Sequence, residues 1–126
     1  MQTWGGSLVR FLDRWDVIPK LVGRIDTDGS GHVTFASIFG IAATVELVDS
    51  NTAVEVGLSA AMADSSYTVL HAVGSPTTTT PRFSHHLLIN TESFRLRSYS
   101  SVAADDLSIV ARQFGIGVWG RLASGA

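Results

Sequence analysis

The chain contains no cysteine, which removes a disulfide framework, a thiol nucleophile and a thiolate metal site together. Its folded state must rest on packing and hydrogen bonding. Lysine is confined to Lys20 and glutamate to Glu46, Glu55 and Glu92, so the residues that build surface helices are scarce. Charged residues make up 16% of 126 positions against 45% hydrophobic ones, a balance that excludes a disordered polyelectrolyte and suits one folded domain. There is no cationic cluster either. The 9 basic residues are spread from Arg10 to Arg121 and the formal charge is -2, so nucleic acid is not an expected partner. No apolar run approaches the roughly 18 residues that span a bilayer. Met1–Gly6 lacks the basic and apolar regions of a signal peptide, so neither secretion nor membrane insertion is expected.

What the chain does have is two kinds of periodicity. Leu8, Phe11, Trp15 and Ile18 recur at steps of three and four, with Ser7 as a cap and Pro19 as a stop, which predicts a short helix from Ser7 to about Ile18. Together with Trp4, this stripe marks residues 1–23 as an attachment and oligomerisation segment, because large apolar side chains dominate interface energetics. From Arg24 onward the period falls to two. Val33 and Phe35, Val45 and Leu47, and Val54, Val56 and Leu58 alternate with smaller or polar residues. Further strands are expected over Tyr67–Val73, His86–Asn90, Phe94–Ser100, Leu107–Arg112 and Ile116–Trp119, with Asp49-Ser50-Asn51 as a tight hairpin. Short strands at this spacing predict a mostly β domain over residues 24–126, an antiparallel β-sandwich preceded by the short N-terminal helix. Gly74–Pro81, with two prolines and four threonines, reads as an exposed loop.

Asp26-Thr27-Asp28-Gly29-Ser30-Gly31 imitates the first half of a calcium loop, with Asp26, Asp28 and Ser30 as oxygen ligands. Position twelve, however, is Ser37 where a bidentate glutamate is required, and a hairpin turn accounts for the same residues. His85 and His86 would point to opposite faces of an extended segment, so one chain does not chelate with both. Asp105-Asp106 reads as a solvated pair in a loop. No serine lies in a Gly-x-Ser-x-Gly elbow, and Gly115–Gly120 is a glycine-broken strand with no following helix to bind phosphate. The expectation is therefore a protein that is not an enzyme and has no cofactor.

Three motifs occur in order: Gly29-Ser30-Gly31-His32-Val33, then Ile38-Phe39-Gly40-Ile41-Ala42-Ala43-Thr44-Val45, then Ala61-Met62-Ala63-Asp64-Ser65-Ser66-Tyr67-Thr68-Val69. With Ser93–Leu96 and Leu107–Ala111 as closing strands, residues 24–112 resemble the C-terminal β-domain of bacteriophage and prophage tail fibres. Asp28 stands where that family usually has asparagine, and the hairpin at Asp49 is shorter than the family's glycine-rich one. The resemblance implies a structural virion protein of the tail, made in the host cytoplasm, forming a homotrimer and docking on other tail or baseplate proteins. A host-surface glycan or protein is the implied target. Thr77, Thr78, Thr79, Thr80, Arg82, His85 and Tyr99 are the candidate receptor contacts, since they offer hydroxyls, a cation and an aromatic ring. A capsid decoration, neck or baseplate protein would share this small β-rich design, and a calcium-dependent binding module is the other alternative.

Overall fold

The structure is a computed structural model that describes residues 18–76 and 81–125. Eight strands follow one another: β1 (Leu21–Asp28), β2 (Val33–Gly40), β3 (Ala43–Val48), β4 (Ala53–Leu58), β5 (Thr68–Gly74), β6 (Phe83–Leu87), β7 (Ser93–Tyr99) and β8 (Ala111–Trp119). They form two four-stranded sheets, ordered β2-β1-β8-β5 and β3-β4-β7-β6, and every pairing is antiparallel. The mostly β, antiparallel character expected from the period-two pattern is what the chain adopts. The short N-terminal helix is not seen: no helix occurs among the described residues, and residues 7–17, which were to carry it, lie outside them.

The inward side chains of both sheets belong to one core. The first sheet supplies Leu21, Ile25, Val69, Phe114, Ile116 and Val118, and the second supplies Val54, Val56, Phe94 and Leu96. Met62, Tyr67, Leu107 and Leu122 join them from the connections. Tyr67 is a core residue with a polar end, and its hydroxyl donates to the carbonyls of Asn90 (2.7 Å) and Ser93 (3.1 Å). Burial pushes that phenol up to about 12, so it stays a donor at any physiological pH.

Several boundaries differ from the sequence expectation, each for a local reason. The domain boundary set at residue 24 falls inside β1. Leu21 is fully buried and the Lys20 amide already donates to Val118 at 2.7 Å, so the sheet begins before it. The apolar run from Ile38 to Val45 is divided between two strands. It breaks at Gly40, where φ of 91° turns the chain out of β2, and it resumes as β3 in the other sheet. A Cβ at Gly40 would collide with the Lys20 carbonyl, which accepts from the Ile41 amide at 2.8 Å. Leu107–Val110 is a turn, because Asp106 caps it through the amide and hydroxyl of Ser108 at 3.0 and 2.6 Å. Strand β8 then runs unbroken through Gly115 and Gly117. The hairpin at Asp49 forms as expected, with Asp49, Ser50 and Asn51 all left-handed and Thr52 donating back to the Asp49 carbonyl.

Gly40 and Gly31 offer a paired test, since both have positive φ and only Gly40 has backbone against its missing Cβ. Gly40→Ala should lower stability by roughly 2–4 kcal/mol, combining left-handed strain with overpacking. Gly31→Ala should cost about 1 kcal/mol, for strain alone. Chemical denaturation midpoints measure both, and equal losses would contradict the close approach at Gly40.

Candidate functional site

Because alternate side chains of each strand point into the core, the others define two outer faces with opposite chemistry. On the first sheet, Val22 of β1, Ile38 of β2, Leu70 and Ala72 of β5, and Gly115, Gly117 and Trp119 of β8 line an open apolar groove. Ile38 is 71% exposed and Leu70 58%, values at which an apolar side chain gains little from its own fold. The Trp119 ring lies over Gly117, where any Cβ would strike it, and Gly115 leaves its floor open. The charges β1 turns outward here, Arg24 and Asp26, are paired with each other at 3.0 Å. A second apolar patch, formed by Ile18, Pro19, Phe39, Ile41 and Leu122, surrounds the start of the described chain.

The outer face of the second sheet is charged and aromatic. Arg95 of β7 donates from Nε to Glu55 of β4 at 3.1 Å and from Nη1 to Asp49 at 2.8 Å, while Arg97 donates from Nη2 to the other Asp49 oxygen at 3.3 Å. Hydrogen bonding to Glu55, followed by the charge of Asp49, holds the Arg95 guanidinium more firmly protonated. Arg97 is shifted the same way by Tyr99 first and Asp49 second. The β6/β7 ladder sets Phe83 opposite Tyr99 and His85 opposite Arg97. Directly opposed residues have Cβ atoms about 5 Å apart, so two aromatic rings, an imidazole and a guanidinium form one compact platform. Phe83 is 68% exposed. Such a platform can stack on the C–H face of a sugar and bond its hydroxyls from the rim.

Of the candidate receptor contacts, the structure brings His85 and Tyr99 together on this platform. Arg82 precedes β6, donates from Nη1 to the Pro81 carbonyl at 3.1 Å and is not part of the ladder. Thr77, Thr78, Thr79 and Thr80 lie outside the described residues, as do Trp4, Leu8, Phe11 and Trp15 of the attachment segment. Ile18, the last of that set, is 40% exposed beside Phe39 and Ile41. Phe83 and Arg97 were missed by sequence reading. Their signal was the period-two pattern of two strands whose register could not be known.

The calcium-like loop is the β1/β2 hairpin turn. Asp28 accepts from the amides of Ser30 (2.8 Å) and His32 (3.1 Å) and pairs with the His32 ring at 2.8 Å, while Asp26 is engaged by Arg24. The Ser30 amide chiefly holds Asp28 below its usual carboxylate range. Asp28 and the Ser30 amide thus close the turn, while Asp26 pairs with Arg24 within β1. Among the described residues no group of three histidine, cysteine, aspartate or glutamate side chains could hold a metal ion.

Asp105 corrects the reading of a solvated pair. Its side chain is 8% exposed, and it forms a 3.1 Å ion pair with Arg112, itself 7% exposed. Ser98 and Ser100 donate to it at 2.7 and 2.8 Å. Burial opposes the charge, yet these hydrogen bonds and Arg112 hold the carboxyl below its usual range. The node ties the turn before β8 to β7. No family model, curated protein or solved structure matches the chain.

Asp105→Ala strands a buried guanidinium and should cost about 3–5 kcal/mol, read as a lowered melting temperature. Because the folded carboxyl is the stronger acid, its contribution is complete above the ordinary carboxylate range near pH 4 and fades as pH falls through its folded value. The Asp105→Ala variant should therefore lose less stability than the native chain between pH 5 and pH 2. An identical acid profile in both proteins would remove the node from this account.

Proposed function

We propose that this chain is a structural virion protein, a tail fibre or fibre-like appendage that assembles as a homotrimer, docks on other tail or baseplate proteins and contacts the host cell surface without catalysis. The two sheets are read as the stacked layers of a β-sandwich, with their inward residues as its filling. The carrying observation is the contrast between the outer faces: Val22, Ile38, Leu70, Ala72 and Trp119 on one, and Phe83, His85, Arg97 and Tyr99 on the other. An apolar face of this kind calls for cover, which sister copies in a closed ring supply. The platform then remains turned outward for a glycan or protein of the host surface. The ordered motifs between Gly29 and Val69, similar to those of tail-fibre β-domains, support the virion setting and the threefold assembly.

Residues 1–23 serve in this reading as the attachment segment, with Ile18 entering the patch beside Phe39 and Ile41. Lys20 and Leu21 already belong to the first sheet, so a deletion that takes them would cut into the fold.

The test is binding of the purified protein to arrayed bacterial surface glycans and to cell-envelope preparations. Native protein should be retained, and Tyr99→Ala or Phe83→Ala should reduce retention roughly tenfold or more, as expected for an aromatic anchor at the centre of a contact. Variants that bind as well as the native chain would remove the platform from this role.

A further inference from the structure

Strands β5 and β6 are edge strands of different sheets, and no backbone ladder joins them. They nonetheless lie against each other along one side of the molecule. A chain of side-chain hydrogen bonds crosses the seam there. His71, in the middle of β5, meets the Ser84 hydroxyl with Nδ1 at 2.6 Å and the His86 Nδ1 with its own Nε2 at 2.8 Å. Ser84 and His86 are two residues apart on β6 and so share a face. The His71 and His86 rings meet edge to face at 5.0 Å, and the His85 ring stacks beside His86 at 6.2 Å.

A ring nitrogen facing another ring nitrogen needs one proton between them. Two neutral rings satisfy this, with His71 donating to His86 and accepting from Ser84. One imidazolium also satisfies it: His71 then turns its lone pair to His86 and donates to Ser84. Two imidazolium rings cannot, because two N–H groups and two like charges would meet at a 2.8 Å nitrogen separation. We propose that His71, His86 and Ser84 form an acid-labile latch between the two sheet edges, closed at neutral pH and opened when both rings are imidazolium.

The surroundings offer little to neutralise that second charge. On β5 itself His71 is the only titratable group, and β6 adds His85, with Arg82 just before it. From β7 Arg97 stands opposite His85 on the outer face, and Leu96 opposite His86. From β8 the residue paired with His71 is Ile116, and the inward Arg112 is engaged by Asp105. Among these groups the one carboxylate is already committed to an ion pair. Burial first, and then the charges of His86 and His85, make His71 a weaker base than usual. Since the folded ring binds its proton less readily than an unfolded one, whose pKa lies near 6.5, the seam is at full strength above that pH. It weakens as pH falls below it.

The latch does not depend on the function proposed above. Its test is amide hydrogen exchange of the full chain at pH 7.5 and pH 5.0, corrected for intrinsic rates. Protection of β5 and β6 should fall about tenfold or more at the lower pH, a change of the size one pKa unit produces, while β1 and β4 stay protected. His71→Gln/His86→Gln, which keeps hydrogen-bonding side chains and removes the charge, should abolish that acid loss. Equal protection at both pH values, or an acid loss of the same size in the double variant, would overturn the proposal. Proton NMR of the native histidine rings gives an answer even where the variant does not fold. His71 should then titrate at a lower pH than an ordinary imidazole, and titration of His71 at the ordinary value would overturn the latch.

Discussion

The apolar layer made by Leu21, Ile25, Phe114 and Val118 with Val54, Val56, Phe94 and Leu96 decides what every strand can do with its other side. The strands that build that layer spend alternate residues on it, and their remaining positions are free to face outward. The connections obey the same constraint. Gly40 turns sharply over the Lys20 carbonyl so that β3 can begin in the second sheet, and Tyr67 fills the core while its hydroxyl binds two carbonyls of the Asn90–Ser93 turn. Asp105 and Arg112 form the polar counterpart of this layer. Each is satisfied by the other and by serine or backbone, which makes a buried charge tolerable.

The outward positions divide the molecule's chemistry between the sheets. On the second sheet, Glu55, Asp49, Arg95 and Arg97 form a cross-strand network that orders the face and keeps it wet. The first sheet carries instead glycines at 115 and 117, with Trp119, Leu70 and Ile38 standing around them. A glycine floor lets another surface come close, and large apolar side chains repay the approach. This contrast underlies the reading of one side as a contact between copies and the other as a contact with an outside target.

Much of the strand content was legible because alternation is a local signal, and the turn residues Asp49-Ser50-Asn51 announced their hairpin through their tolerance of left-handed backbone. Sheet membership was not legible. Ile38 to Val45 is apolar throughout, and nothing local distinguishes one long strand from two strands in separate sheets meeting at Gly40. Leu107 to Val110 is apolar enough to imitate a strand, but Asp106 closes it into a turn. The platform was half visible, through His85 and Tyr99. Phe83 and Arg97 could join them only through the β6/β7 register, which the sequence does not encode locally. Asp105 looked solvated because its partners, Ser98 and Arg112, are each seven residues away in the chain. The His71 contact with Ser84 and His86 likewise depends on two strand edges meeting.

In the proposed assembly, sister chains cover the apolar face of the first sheet. Native mass spectrometry of the purified protein at micromolar concentration measures this directly. A species of three times the 13.4 kDa chain mass, dissociating when Ile38 and Leu70 are replaced by aspartate, is the predicted result. A chain that stays single at that concentration would contradict it.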